Sequence, residues 1–140
     1  MQVPEHAAPA EIFNNNYAYF SSYSTSWLRH AATYAAMIKE RLNLGPKSHV
    51  VEIASNDGYL LRNFVAQGIP CLGIEPSANT AAVARNAGIE TWGEFFTKCL
   101  ALRLVKDRGA ADLIIGNNVL AHVPDINDFV AGIATALAPH

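Results

Sequence analysis

"VVEIASNDGYLL", Val50 to Leu61, is the stretch on which the reading of the whole chain turns. Its first half is an apolar run interrupted by one acidic residue, Glu52. Its second half is a small polar turn, Ser55 to Gly58, leading into an apolar stretch suited to begin a helix. A strand that feeds a helix through a tight polar turn is the opening unit of a doubly wound sheet. The pattern repeats outward from it. "HVVEIA", "PCLGIE", "IETWG" and "ADLIIGN" are short, nearly all-apolar runs, as strands buried on both faces must be. Helical patterns alternate with them, expected from about Gly58 to Gln67, Ser77 to Asn86, about Thr97 to Asp107, and from Pro124 or Asp125 onward. Ahead of the first strand Leu28, Ala31, Ala32, Ala35, Ile38 and Leu42 recur at three- and four-residue steps, with serines before and Gly45-Pro46 behind, which predicts one more helix. Right-handed crossovers join such elements into a parallel sheet, so the fold class is α/β, doubly wound.

The composition supports one packed domain. Of 140 residues 51% are hydrophobic and 16% charged, which excludes disorder. Ten basic against twelve acidic residues leave a formal charge of -2, with no field to gather nucleic acid or an anionic membrane. Cys71 and Cys99 stand far apart, which excludes a thiolate zinc site, and no metal is expected; both read as small buried apolar residues in a reducing compartment. No apolar run reaches the roughly 18 residues of a span and the N-terminus has no signal-peptide character, so a cytoplasmic location is expected. Residues 1–26 read as an N-terminal arm with an aromatic cluster and 27–140 as the sheet domain. The sequence stops at Ala138-Pro139-His140, where a fifth strand is due. The sheet therefore reads as truncated after the fourth strand and its helix, with that edge covered by a C-terminal region or by a second copy in a homodimer.

Ligands of open parallel sheets bind at the carboxyl ends of the strands, where strand order reverses. A dinucleotide needs a GxGxxG turn that brings backbone amides against its pyrophosphate. Here the corresponding positions are Ala54, Asn56 and Tyr59, only Gly58 is a glycine nearby, and Asp57 stands where a phosphate would sit. S-adenosylmethionine has no phosphate and carries a sulfonium, an ammonium, a ribose diol and an adenine, which an acidic, amide-rich loop suits. The expected cofactor-binding residues on this loop are Glu52, Ala54, Ser55, Asn56 and Gly58. Glu75 follows Glu52 by 23 positions (52 to 75), close to the roughly 20 at which an acidic residue reaches a ribose diol. Pro76 stops its strand and Ser77 is suited to cap the next helix, fixing the carboxylate at the strand tip. Glu94 is placed to accept the adenine amino group, with Phe95 or Phe96 over the ring. Asn117 and Asn118, at the tip of the fourth strand, are placed to hold the methionyl ammonium.

"YAYFSSYSTSWLRHA", "VVEIASNDGYLL", "GIEPSANTA" and "GNNVLAHVPDINDFV" together resemble the central cofactor-binding region of the C-methyltransferases that add a methyl branch to nucleotide-linked deoxysugars. The resemblance runs from Tyr17 nearly to the end of the chain. It implies a Rossmann-like class I methyltransferase fold, S-adenosylmethionine as cofactor and a nucleotide-sugar acceptor. It also implies a zinc-binding cysteine module before this region and a long C-terminal region after it, which carries a tyrosine, glutamate and histidine cluster; these 140 residues hold neither.

Methylation at a sugar carbon needs a base to remove a proton beside a ketone, and His122 is the candidate, the resemblance implying an active-site role at this point. The plainer reading is that "HVPD" merely ends a strand and starts a helix, with Asp125 and Asp128 capping it. His6, His30, His49 and His140 read as surface or helix histidines. Phe20, Tyr23 and Trp27 keep helical spacing and read as packing residues, whereas Tyr17 and Tyr19 fall outside that stripe and are candidates to meet the substrate. Two rivals stand beside this reading: an NAD-dependent nucleotide-sugar oxidoreductase, and a non-catalytic cofactor-binding or assembly fragment.

Overall fold

The computed structural model describes residues 8–14 and 17–139; His6 and His140 lie outside them. A short helix, α1 (Pro9–Ile12), and a 3-10 turn (Ser21–Tyr23) precede α2 (Thr25–Leu42). Then follow β1 (Val50–Ile53), α3 (Arg62–Val65), β2 (Cys71–Ile74), α4 (Ala78–Asn86), β3 (Thr91–Trp92), α5 (Lys98–Arg108), β4 (Leu113–Ile115), a second 3-10 turn (Leu120–His122) and α6 (Ile126–Ala136). All strand pairs are parallel, in the order β3-β2-β1-β4, so the direction of winding reverses at β1. This is the expected doubly wound α/β sheet.

Successive side chains of β1 point to opposite faces, and the core divides accordingly. Val50 packs with Ala31, Ala35, Leu61 and Phe64 beneath α2 and α3. Val51 and Ile53 pack with Leu100, Leu104, Phe129 and Ala136 beneath α5 and α6. Each large aliphatic or aromatic side chain buried in this way contributes about 1.5 to 3 kcal/mol.

Several details depart from the expected elements. The helix after the first loop is only α3, because Gly58 has φ +76 and Asn63 and Phe64 bond three residues back, to Leu60 and Leu61. Helix α2 ends at Asn43, left-handed at φ 51, two residues before the expected Gly45-Pro46 stop. Ser24 caps α2 by accepting from the Trp27 amide at 3.2 Å. Ser77 stands at the start of α4, but its hydroxyl makes no cap bond. Asp125 caps α6 through the Asn127 and Asp128 amides, whereas Asp128 accepts from the Lys98 amide at 3.0 Å and so serves α5. Tyr23 is 83% exposed and stacks on Phe20 instead of joining the core. Cys99 is exposed, and Cys71 is half-buried with burial pushing its thiol up to about 11. Leu137 pairs with Ala111 in an isolated parallel bridge, and the outer edge at Leu113–Ile115 has no partner among the described residues. No helix among the described residues is long and apolar enough to cross a membrane.

Candidate active site

A cleft of about 550 Å³ opens at the carboxyl ends of the strands, beside the β1/β4 boundary where the winding reverses. That size lies within the roughly 300 to 1,000 Å³ of small-molecule sites. Its lining gathers residues far apart in the chain: Ala54 and Asn56 after β1, Glu75 and Pro76 after β2, Glu94, Phe95 and Phe96 after β3, Asn117, Asn118 and His122 after β4, and Tyr17 and Tyr19 from the arm. Glu52, Ser55 and Gly58 do not line it. Glu52 is fully buried within β1, sharing Val50's face of the sheet. Ser55 is tucked against Gly73, where an added Cβ would stand 2.5 Å from its hydroxyl oxygen. Gly58 is packed against Ile89, whose Cδ1 lies 2.2 Å from where a Cβ would be.

The first loop is already hydrogen-bonded internally. The Ser55 amide donates to Ile74 O (3.2 Å), the Asn56 amide to Glu75 Oε2 (2.9 Å) and the Gly58 amide to Ser55 O (3.0 Å). These three amides are therefore not free to meet a pyrophosphate. Ala54 takes φ 57 and Asn56 φ 52, a left-handed backbone that costs a non-glycine residue about 1 to 2 kcal/mol. Glu75, buried at 4% exposure, also accepts from the Ser77 amide at 2.8 Å, so its carboxylate ties the loops after β1 and β2 together. Glu75 thus has a structural role beside the expected one, while each oxygen retains an acceptor lone pair and the side chain still borders the cleft.

The cleft is acidic. Glu75, Glu94, Asp125 and Asp128 line it, with no lysine or arginine among the described lining residues. Glu94 is ion-paired with Arg103, whose guanidinium also lies 4.8 Å over the Trp92 ring. Beneath the floor, burial holds the Glu52 carboxyl well above the usual carboxylate range; Tyr59 partly offsets this, while Glu75 and Asp57 push it further up. Tyr59, its phenol raised chiefly by burial and next by Glu52, accepts from Asn117 Nδ2 at 3.0 Å and stacks on Trp27 at 5.9 Å. Burial, then Glu75, raises the Tyr17 phenol as well.

His122, exposed on the 3-10 turn after β4, meets the edge of Phe13 at 5.7 Å, and Phe13 in turn meets Tyr17 at 5.3 Å. Phe96 packs edge-on against Phe129 at 5.5 Å, while Phe95 is 43% exposed. Phe13, Trp27 and Tyr59 line the cleft without having been singled out from the sequence for that role. Tyr59 carried a signal, since it occupies the last position of the displaced GxGxxG pattern; Phe13 carried none.

A family model described as a methyltransferase domain matches residues 27–140. The C-methyltransferase NovU of Streptomyces niveus is 31% identical over 134 residues, covering 96% of this chain and 32% of NovU. The ubiquinone biosynthesis O-methyltransferase of Rhodopseudomonas palustris (strain HaA2) is 24% identical over 91 residues, covering 65% of this chain and 36% of that protein. The chain thus spans about a third of the length of the curated relatives it matches. Among solved structures, magnesium protoporphyrin IX methyltransferase (ChlM) from Synechocystis PCC 6803, crystallised with bound SAM, superposes with a TM-score of 0.61 at 16% identity, over 79% of this chain and 54% of that one, a likeness of fold. With the family model matched from Trp27 to His140, the chain belongs to the methyltransferase-domain family.

Proposed function

We propose that the cleft binds S-adenosylmethionine and that the protein to which this chain belongs methylates carbon on a nucleotide-linked keto-deoxysugar. One observation carries the cofactor assignment: among its aromatic and apolar lining the strand-tip cleft presents carboxylates and side-chain amides with no lysine or arginine among the described lining residues, and the Ser55, Asn56 and Gly58 amides of the first loop are engaged within the protein. Glu75 would take the ribose diol with the lone pairs its two amide bonds leave free. Asn117 and Asn118 would hold the aminocarboxypropyl end, and Phe95 and Phe96 the adenine. The bound cofactor supplies an electrophilic methyl group. His122 Nε2 or Nδ1 would accept the proton beside the acceptor's ketone, and Tyr17, held near Glu75, would face the same region. The 31% identity to NovU, a C-methyltransferase, supports transfer to carbon over oxygen or nitrogen. Calorimetric titration with S-adenosylhomocysteine and with NAD tests the cofactor assignment. Binding of the first alone is expected; binding of NAD alone would replace the reading with the oxidoreductase one.

A further inference from the structure

Asn56, which stands where a dinucleotide loop has a glycine, and its neighbour Asp57 bond the N-terminal arm. Asn56 Nδ2 donates to the Tyr19 carbonyl at 3.0 Å, and Asn56 Oδ1 accepts from the Ser21 amide at 2.9 Å. Asp57 Oδ2 accepts from the Ser22 amide at 3.0 Å. From α4, Asn79 Nδ2 donates to the Tyr17 carbonyl at 2.6 Å. Two carbonyls and two amides of the arm are thus matched, in chain order, by two donors and two acceptors. Asn56 and Asp57 are buried at 7% and 0% exposure; the Asn56–Ser21 bond is buried and the other three are part-buried. All four engage backbone, which fixes the arm's register whatever its side chains. In that register Tyr17, Tyr19 and Ser21 form one wall of the cleft. The Asn56 amide is itself held by Glu75, so the clamp's loop is tied directly to the expected ribose ligand.

We propose that Asn56, Asp57 and Asn79 are positioning residues that hold the arm as a wall of the cofactor cleft, so that this clamp sets affinity for the adenosyl ligand and places Tyr17 at the reacting centre. The affinity part rests on the S-adenosylmethionine reading above. The loop then departs from the glycine pattern for a physical reason: it binds a polypeptide backbone on one side and borders the ligand on the other. A glycine at position 56 would supply neither donor nor acceptor to the arm.

The test combines amide hydrogen exchange at Ser21 and Ser22 with calorimetric titration of S-adenosylhomocysteine. In the wild type both amides are expected to exchange at least about 100-fold more slowly than in a free chain. Asp57→Ala should speed exchange at Ser22 at least about tenfold and weaken S-adenosylhomocysteine at least about fivefold. Asp57→Asn, which keeps an acceptor oxygen for the Ser22 amide, should return both to within about twofold of wild type. Asn79→Ala, on the half-exposed first turn of α4, should weaken the ligand about threefold or more with no change in the midpoint of thermal unfolding beyond the loss of one hydrogen bond. Wild-type amides exchanging at free-chain rates would overturn the clamp. Wild-type affinity in both alanine variants, or an Asp57→Asn variant as impaired as Asp57→Ala, would overturn the positioning role. Protected amides in a wild type that binds no S-adenosylhomocysteine would overturn the cofactor reading and the affinity role with it, leaving the clamp itself in place.

Discussion

Replacing Glu75 by glutamine keeps the side chain's length but leaves it one acceptor where there were two. The carboxylate accepts the Asn56 amide at 2.9 Å and the Ser77 amide at 2.8 Å and is 4% exposed, so water does not replace a lost bond. Whichever way the new amide group turns, its NH2 confronts one of these backbone N–H groups. One buried donor is then orphaned, at about 1 to 3 kcal/mol, and the surviving bond loses its charge assistance, about 1 kcal/mol more. The sum, about 2 to 4 kcal/mol, is a large part of the roughly 5 to 15 kcal/mol that holds a domain together, and lowers the melting midpoint by roughly 6 to 16 °C. Glu75→Ala orphans both donors, about 2 to 6 kcal/mol, and is expected to fold poorly. Urea denaturation of the two variants beside the wild type measures these losses. A glutamine variant within about 0.5 kcal/mol of wild type would refute the claim that Glu75 ties the two loops together. On the folded glutamine variant, S-adenosylhomocysteine should bind about ten- to a hundredfold more weakly, as for loss of a charge-assisted bond.

Burial raises the Glu52 pKa well above 4.5 in the folded chain, so the fold holds this proton to a higher pH than the unfolded chain, which releases it above about pH 4.5. Its contribution to stability is therefore full below pH 4.5 and falls as pH rises toward the folded pKa, by up to about 1.4 kcal/mol per pH unit. Glu52→Gln should flatten this slope in urea melts between about pH 5 and 7, and an unchanged slope would mean that Glu52 is ionised in the fold. Gly58→Ala adds a Cβ 2.2 Å from Ile89 Cδ1 at a residue with φ +76; strain and overpacking together should lower stability by about 2 to 4 kcal/mol, and a neutral effect would show that this loop can relax. His122→Gln should leave S-adenosylhomocysteine affinity within about twofold and slow methyl transfer to a keto-deoxysugar nucleotide about 10²- to 10⁴-fold. Undiminished transfer would remove His122 from proton abstraction.

Periodicity made the fold legible. The nearly all-apolar runs at Val50, Cys71 and Leu113 read as strands within a covered sheet, and the helices between them point to a parallel arrangement. Element ends were less legible, because they depend on single backbone angles: the left-handed Asn43 ends α2, and the positive φ of Gly58 delays α3. In the site, Glu75, Asn117, Asn118 and His122 all line the cleft because topology brings every strand tip to one place; the interval from Glu52 points to Glu75 and the family resemblance to His122. What position did not reveal was direction. Glu52, Ser55 and Gly58 belong to the same loop region yet turn into the sheet and its packing, and alternation along β1 puts Glu52 on Val50's side. Nor did composition show that Asn56 and Asp57 bond the arm, because a contact between residues 35 positions apart leaves no local pattern. Composition likewise did not show that the Ser55, Asn56 and Gly58 amides are engaged within the protein, a feature that bears on phosphate binding beside the Asp57 carboxylate.

A crystal structure of the protein with S-adenosylhomocysteine tests the central claim most directly. The account predicts the ribose hydroxyls within hydrogen-bond distance of the Glu75 carboxylate and the amino-acid end beside Asn117 and Asn118, with the Tyr17–Ser22 backbone still bonded to Asn56, Asp57 and Asn79. A ligand seated elsewhere, or a pyrophosphate resting on the amides of residues 55–58, would contradict it.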